Sequence, residues 1–218
     1  MRLCITFFLV AIRVVAWGQT DAQKDSIINV MCEFLKRNSE INDSSRIMLI
    51  YNTHFYPFLN KFKEQERQEI GTNVYYRFQK NCVEFKELLD MLEPLKNDEV
   101  VVDVKPKPKL QKDVCKQFNQ QKHLYYLEST GDTVKLEIKN EYWIDHFKDG
   151  TQSRLKLVWI DNCEFELEFV ESNNYIRNGV SRKGDKYKYQ LLDKTSSFYE
   201  VSSEIAGSNK YLIFKIYY

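Results

Sequence analysis

Seven glycines in 218 residues leave little from which to build a phosphate-cradling loop, and no dinucleotide fingerprint occurs. Histidine is as scarce. His54, His123 and His146 are scattered, with no His-Glu-x-x-His zinc helix and no Gly-x-Ser-x-Gly nucleophile elbow. The absence of any Cys-x-x-Cys argues against thioredoxin-type redox chemistry and against a zinc site. Charge of one sign is missing too: 32 Lys and Arg stand against 31 Asp and Glu. Nucleic acid and anionic membrane surfaces both demand a positive excess, so neither is expected as the main partner. No catalytic residue, metal or cofactor is assigned on these grounds.

Long apolar runs are also lacking. The apolar stretch Leu3 to Ile12 is far shorter than the ~20 residues that span a bilayer. It follows the positive start Met1-Arg2 and precedes Ala16-Trp17-Gly18, whose small residues occupy the −3 and −1 positions of a cleavage site. The expectation is a signal peptide over 1–18, cleaved after Gly18, and an exported protein, periplasmic or secreted. Cys4 lies too early to serve as a lipid acceptor. Without Arg2 and Arg13, 30 basic side chains face 31 acidic ones. Fourteen Tyr and fourteen Phe are more than a disordered chain carries, so the mature protein is read as globular.

Four cysteines remain after cleavage, Cys32, Cys82, Cys115 and Cys163. An even number in an exported chain suggests disulfides, with three possible pairings. A two-domain split favours Cys32 with Cys82 and Cys115 with Cys163; buried free thiols are the alternative.

That split rests on a change of period near residue 100. Before it, Ile27, Ile28, Met31, Phe34 and Leu35 form a helical stripe. A second helix is expected from an Asp43-Ser44 cap, carrying Ile47, Met48 and Ile50 until Pro57 breaks, kinks or restarts it. Ile70, Val74, Phe78, Cys82, Phe85, Leu89 and Leu92 then predict one long helix, with Gly71 marking a bend. Pro94 ends it. Lys105-Pro106-Lys107-Pro108-Lys109 reads as an extended, solvated spacer, because proline lacks the donor that helix and sheet need. Val100 to Val104 before it suits an edge strand.

From about residue 120 the period is two. Eight short apolar-aromatic runs, beginning at His123, Val134, Tyr142, Leu155, Cys163, Tyr187, Phe198 and Tyr211, alternate with turn signals such as Lys148-Asp149-Gly150-Thr151 and Lys183-Gly184-Asp185. Spacing of about ten residues per strand and turn describes an antiparallel meander that closes into a barrel or a curled half-barrel. Within it, a three-residue loop at Ile160-Asp161-Asn162 sets Leu157 opposite Phe165 and Lys156 opposite Glu166. The fold expected is α+β: a helical bundle over 19–95, a Lys/Pro linker over 96–114 and an antiparallel β domain over 115–218.

The most site-like cluster is Trp143, Asp145 and His146 in the run YWIDHF. Strand alternation sends Asp145 and His146 to opposite faces, which denies them a triad-like relation unless the strand bulges. The β part is rich in aromatics, among them Tyr125, Tyr126, Trp159, Tyr189 and Tyr199. Such rings either line a ligand pocket or fill a small barrel. Glu164, Glu166 and Glu168 share an outer face and read as a solvated row.

The stretches YYRFQKNC, DGTQSRLKLVWIDNCEFELEFVESNN and SRKGDKYKYQLL, with the ending FKIYY, resemble a group of small exported proteins of Bacteroidota-type bacteria. The group carries no assigned activity, so the resemblance implies none. The meander is similar to lipocalin-like domains, without the Gly-x-Trp signature of true lipocalins. The function expected is that of a non-enzymatic binding or interaction module, its partner a small apolar ligand or an envelope protein. A hydrolase acting on envelope polymers between the two domains is the alternative.

Overall fold

The computed structural model describes residues 21–92, 99–161 and 163–218. The expected signal peptide and its cleavage site lie outside the described residues, as do Pro94 and Asn162. The chain divides into two compact units between Leu88 and Leu89.

The first unit is helical. Helix α1 covers 21–37 and buries Ile28, Met31, Cys32 and Leu35. Helix α2 (Asp43–Ile50) is capped one residue earlier than the sequence suggests, by Asn42, whose side chain accepts from the Ser45 N–H. Met48 is 65 % exposed, so Ile50 alone carries the buried face of α2. The chain does not break at Pro57. A π-turn over Tyr51–Phe55 lets the Tyr56 N–H reach back to the Tyr51 carbonyl, and α3 (Tyr56–Leu59) then starts with the proline in its first turn, where no donor is required.

The single long helix expected next is two, α4 (Glu64–Asn81) and α5 (Val83–Leu92). Cys82 between them is extended, at φ −123° and ψ 106°, and is bonded to Cys32. The break re-phases the stripe: α5 buries Phe85 and Leu88, while Leu92 is exposed. Phe78 and Phe85 stack across it with centroids 4.0 Å apart. Gly71 marks a close approach rather than a bend, since a Cβ there would stand 3.3 Å from Leu59 Cδ1.

The second unit is a closed antiparallel barrel of eight strands, with a ninth strand paired to part of the β9 edge that faces β2. That ninth strand is β1 (Val100–Val102) and the barrel runs β2 (Leu124–Leu127), β3 (Thr133–Lys139), β4 (Tyr142–His146), β5 (Gln152–Trp159), β6 (Glu164–Ser172), β7 (Lys186–Lys194), β8 (Phe198–Glu204) and β9 (Tyr211–Tyr217). Each pairs with the next, and β9 closes onto β2 through Tyr125 and Tyr217. All eight apolar-aromatic runs of the sequence become strands. Apolar residues at alternate positions face inward, as Leu155 and Leu157 do on β5 and Phe165, Leu167 and Phe169 on β6. The β3–β4 turn places Asn140 and Glu141 at positive φ, the conformation a two-residue hairpin demands.

Two short helices sit at opposite ends. Helix α6 (Lys112–Phe118) precedes β2 and drives Phe118 into the barrel, fully buried against Trp143, Phe165 and Tyr199. Helix α7 (Tyr175–Val180) belongs to the β6–β7 connection at the other end. Phe165 stacks on Tyr189 at 5.4 Å and on Trp143 at 5.9 Å. These rings fill the interior.

The expected β5–β6 register is corrected by two residues. Leu157 faces Leu167, Lys156 faces Glu168 and Trp159 faces Phe165. Ile160 donates to the Glu164 carbonyl at 2.9 Å, which leaves Cys163 in the loop, bonded to Cys115. A shift of two keeps every side chain on its own face, so the apolar pattern fits both registers equally. The Lys-Pro segment is extended but docked rather than free: Lys109 donates its backbone N–H to the Leu192 carbonyl at 2.7 Å, and Lys105 pairs with Glu164 at 3.6 Å.

Phe118→Ala removes a fully buried ring and is expected to cost about 3–5 kcal/mol. Urea unfolding of the oxidised protein should show a lower midpoint at unchanged slope. A non-reduced peptide map should return two crosslinks, Cys32–Cys82 and Cys115–Cys163.

Candidate functional site

The alternation of β4 separates the three residues that the sequence groups together. Trp143 and Asp145 point into the barrel, while Tyr142, Ile144 and His146 point out. There is no bulge in β4, and Asp145 does not orient His146.

Inside, Asp145 is 8 % exposed and accepts a hydrogen bond from Trp143 Nε1 at 2.8 Å. Tyr126, inward on β2, donates its hydroxyl to the same carboxyl. Burial pushes Asp145 up to about 7 from its ordinary 3.8, and the two hydrogen bonds offset part of that rise. Burial, reinforced by the Asp145 charge, also raises the hydroxyls of Tyr126 and Tyr189. This polar cluster lies at the α7 end of the barrel. There Ser153 and Ser172 share a hydrogen bond of 2.9 Å, and Ser181 and Tyr187 share one of 2.6 Å. Asn174 caps α7 by accepting from the Arg177 N–H, and its amide donates to Thr151 Oγ1 at 2.8 Å. Arg177 pairs with Glu128 and lies 5.3 Å from the centre of the Phe147 ring.

Outside, the same strands build a groove of about 500 Å³ lined by Lys122, His123, Tyr125, Lys135, Glu137 and His146, among others. Ladder register sets its layout. Lys135 lies between Tyr125 of β2 and His146 of β4, and Glu137 follows two residues later on the same face. His146 Nε2 is 3.4 Å from Glu137 Oε2. The side chains of Lys122, His123 and Lys135 have no hydrogen-bond or ion-pair partner among the described residues. Tyr125 stacks on Tyr217 at 5.1 Å with 15° between the planes. The groove is thus a mixed wall: unpaired cations, one carboxylate and an immobilised ring.

Elsewhere on the barrel Glu166 pairs with Lys186 at 2.9 Å and Glu164 with Lys105 at 3.6 Å, so two members of the glutamate row are held in ion pairs. Cys32, Cys82 and Glu84 lie close enough together to suggest a metal cluster, but both sulfurs are spent in the disulfide. Among the described residues, no helix is long and apolar enough to cross a membrane.

Neither a protein-family model nor a curated protein matches this chain.

Of the sequence candidates, Trp143 and Asp145 belong to the interior cluster and His146 to the groove. Tyr126 and His123 are read from the sequence only as one of the barrel aromatics and as a scattered histidine; Arg177, Lys135 and Glu137 carry no signal there. Period-two spacing does place Lys135 and Glu137 on one outer face, but their neighbours on β2 and β4 depend on register.

Because the folded-state pKa of Asp145 is raised, the folded protein keeps a proton between about pH 4 and pH 7 that the unfolded chain releases. This group therefore favours folding most below pH 4 and opposes it progressively as pH climbs to 7, by on the order of 4 kcal/mol in total. Asp145→Asn, which keeps an acceptor for Trp143 and Tyr126, should flatten that part of the stability–pH curve. It should also unfold at higher urea than wild type at pH 8.

Proposed function

We propose that this chain is an exported, non-enzymatic binding module that meets its ligand on the outer wall of a filled barrel. The observation that carries the reading is the groove of about 500 Å³, a volume within the range of about 300–1,000 Å³ typical of small-molecule sites. Tyr125, Lys135, Glu137 and His146 of its wall stand on ladder strands of a closed sheet, while Lys122 and His123 reach it from the loop before β2. The lumen holds Phe118, Trp143, Phe165, Tyr189 and Tyr199, and the groove rather than the lumen is where this reading puts the ligand. The two disulfides support an oxidising compartment.

The hydrolase alternative needs a poised acid or base facing substrate. Asp145 has the raised pKa, yet its carboxyl is committed to Trp143 and Tyr126 inside the barrel. Assays with nitrophenyl esters and with peptidoglycan should show no turnover above buffer. Turnover that disappears in folded Asp145→Asn would overturn the non-enzymatic reading.

A further inference from the structure

A cation exposed on a protein surface usually finds a carboxylate nearby. On this barrel most do: Lys186 with Glu166, Lys188 with Glu204, Arg154 with Glu171 and Lys148 with Asp132. Lys122 and Lys135 have no such partner among the described residues, as is true of Lys107, Lys112, Lys156 and Lys183, but these two converge with His123 on one groove over β2, β3 and β4. We propose that the groove binds an acidic oligosaccharide, the ring carboxylates or sulfates taken by Lys122 and Lys135 and the ring hydroxyls by Glu137 and the two imidazoles. The proposal rests on the binding-module reading and names its ligand class.

Four features select this class. The unpaired lysines favour an anion over a neutral ligand. Glu137, held by His146 at 3.4 Å, stands two residues from Lys135, about 7 Å along the strand. A cation and an acceptor at that spacing suit a chain bearing both acid groups and hydroxyls. Tyr125 is held on one side by Tyr217 and is 38 % exposed, presenting the sort of fixed aromatic surface against which the apolar face of a sugar ring packs. Finally, β3 and β4 are each paired on both sides, so an acidic peptide lying along them would find no free edge to extend. Nucleic acid is disfavoured by the carboxylate in the middle of the groove and by the balanced charge of the chain.

Isothermal titration of the full chain with trigalacturonate, a heparin hexasaccharide and neutral maltotriose tests the class. Binding of trigalacturonate alone identifies a carboxylate ligand, and binding of the heparin fragment alone a sulfated one; either supports the proposal. Affinity should fall as salt is raised. Lys122→Ala and Lys135→Ala should each weaken binding about five- to tenfold, equivalent to about 1–1.4 kcal/mol, with unchanged circular dichroism. Equal affinity for maltotriose overturns the claim of an acidic ligand, and tighter binding of polyglutamate or oligothymidylate overturns the claim of a sugar. Acidic-sugar binding that survives in both lysine variants overturns the groove as its site while leaving the binding-module reading intact. No binding of either acidic sugar overturns the class, and the reading beneath it then stands or falls on the turnover assays.

Discussion

The bond between Cys115 and Cys163 ties α6 to the β5–β6 loop, and much of the second unit follows from that tether. It holds Phe118 against Trp143, Phe165 and Tyr199, so the barrel is plugged by a helix from outside its own ladder. Its Cys163 lies just before β6, in the loop of the register in which Leu157 meets Leu167. The rings packed around Phe118 occupy that end of the lumen, and the polar groups gather on the outer walls and at the α7 end.

One strand shows how this sorting works. In β4, neighbouring residues take opposite fates: Asp145 is desolvated beside Trp143 and Tyr126, while His146 stands in solvent beside Glu137. The interior cluster costs stability wherever Asp145 ionises, and α7 with its Arg177–Glu128 pair roofs that end of the barrel. The exterior groove costs little, since Lys122 and Lys135 keep their water until a ligand displaces it.

The barrel was legible because period-two patterning repeats eight times with turn residues between, and the cysteine pairing followed from the change of period near residue 100. What escaped the sequence has local causes. The break at Cys82 is invisible to a stripe that counts cysteine as one more apolar residue, whereas in the structure this residue is extended and bonded to Cys32. Helix α6 straddles the boundary between the segments read as linker (96–114) and as β domain (115–218), and seven residues are too few for a period to declare itself. The Asn140-Glu141 turn lacks glycine. For the site, Trp143, Asp145 and His146 were flagged by type, but Lys135 and Tyr126 join them only through cross-strand neighbours that a single strand's sequence does not contain.

The closure of the barrel is uneven. Strand β9 is bridged to β2 at Tyr125 and Tyr217 alone, while the other part of the same edge, Tyr211 to Ile213, is occupied by β1. Val100–Val102 therefore acts as a stave that seals a bare β edge. Any proteolytic cut that released β1 would uncover a row of unpaired backbone groups beside apolar side chains, the surface from which strand-swapped dimers and aggregates grow. The segment leading into the β domain is in this sense its guard against self-association.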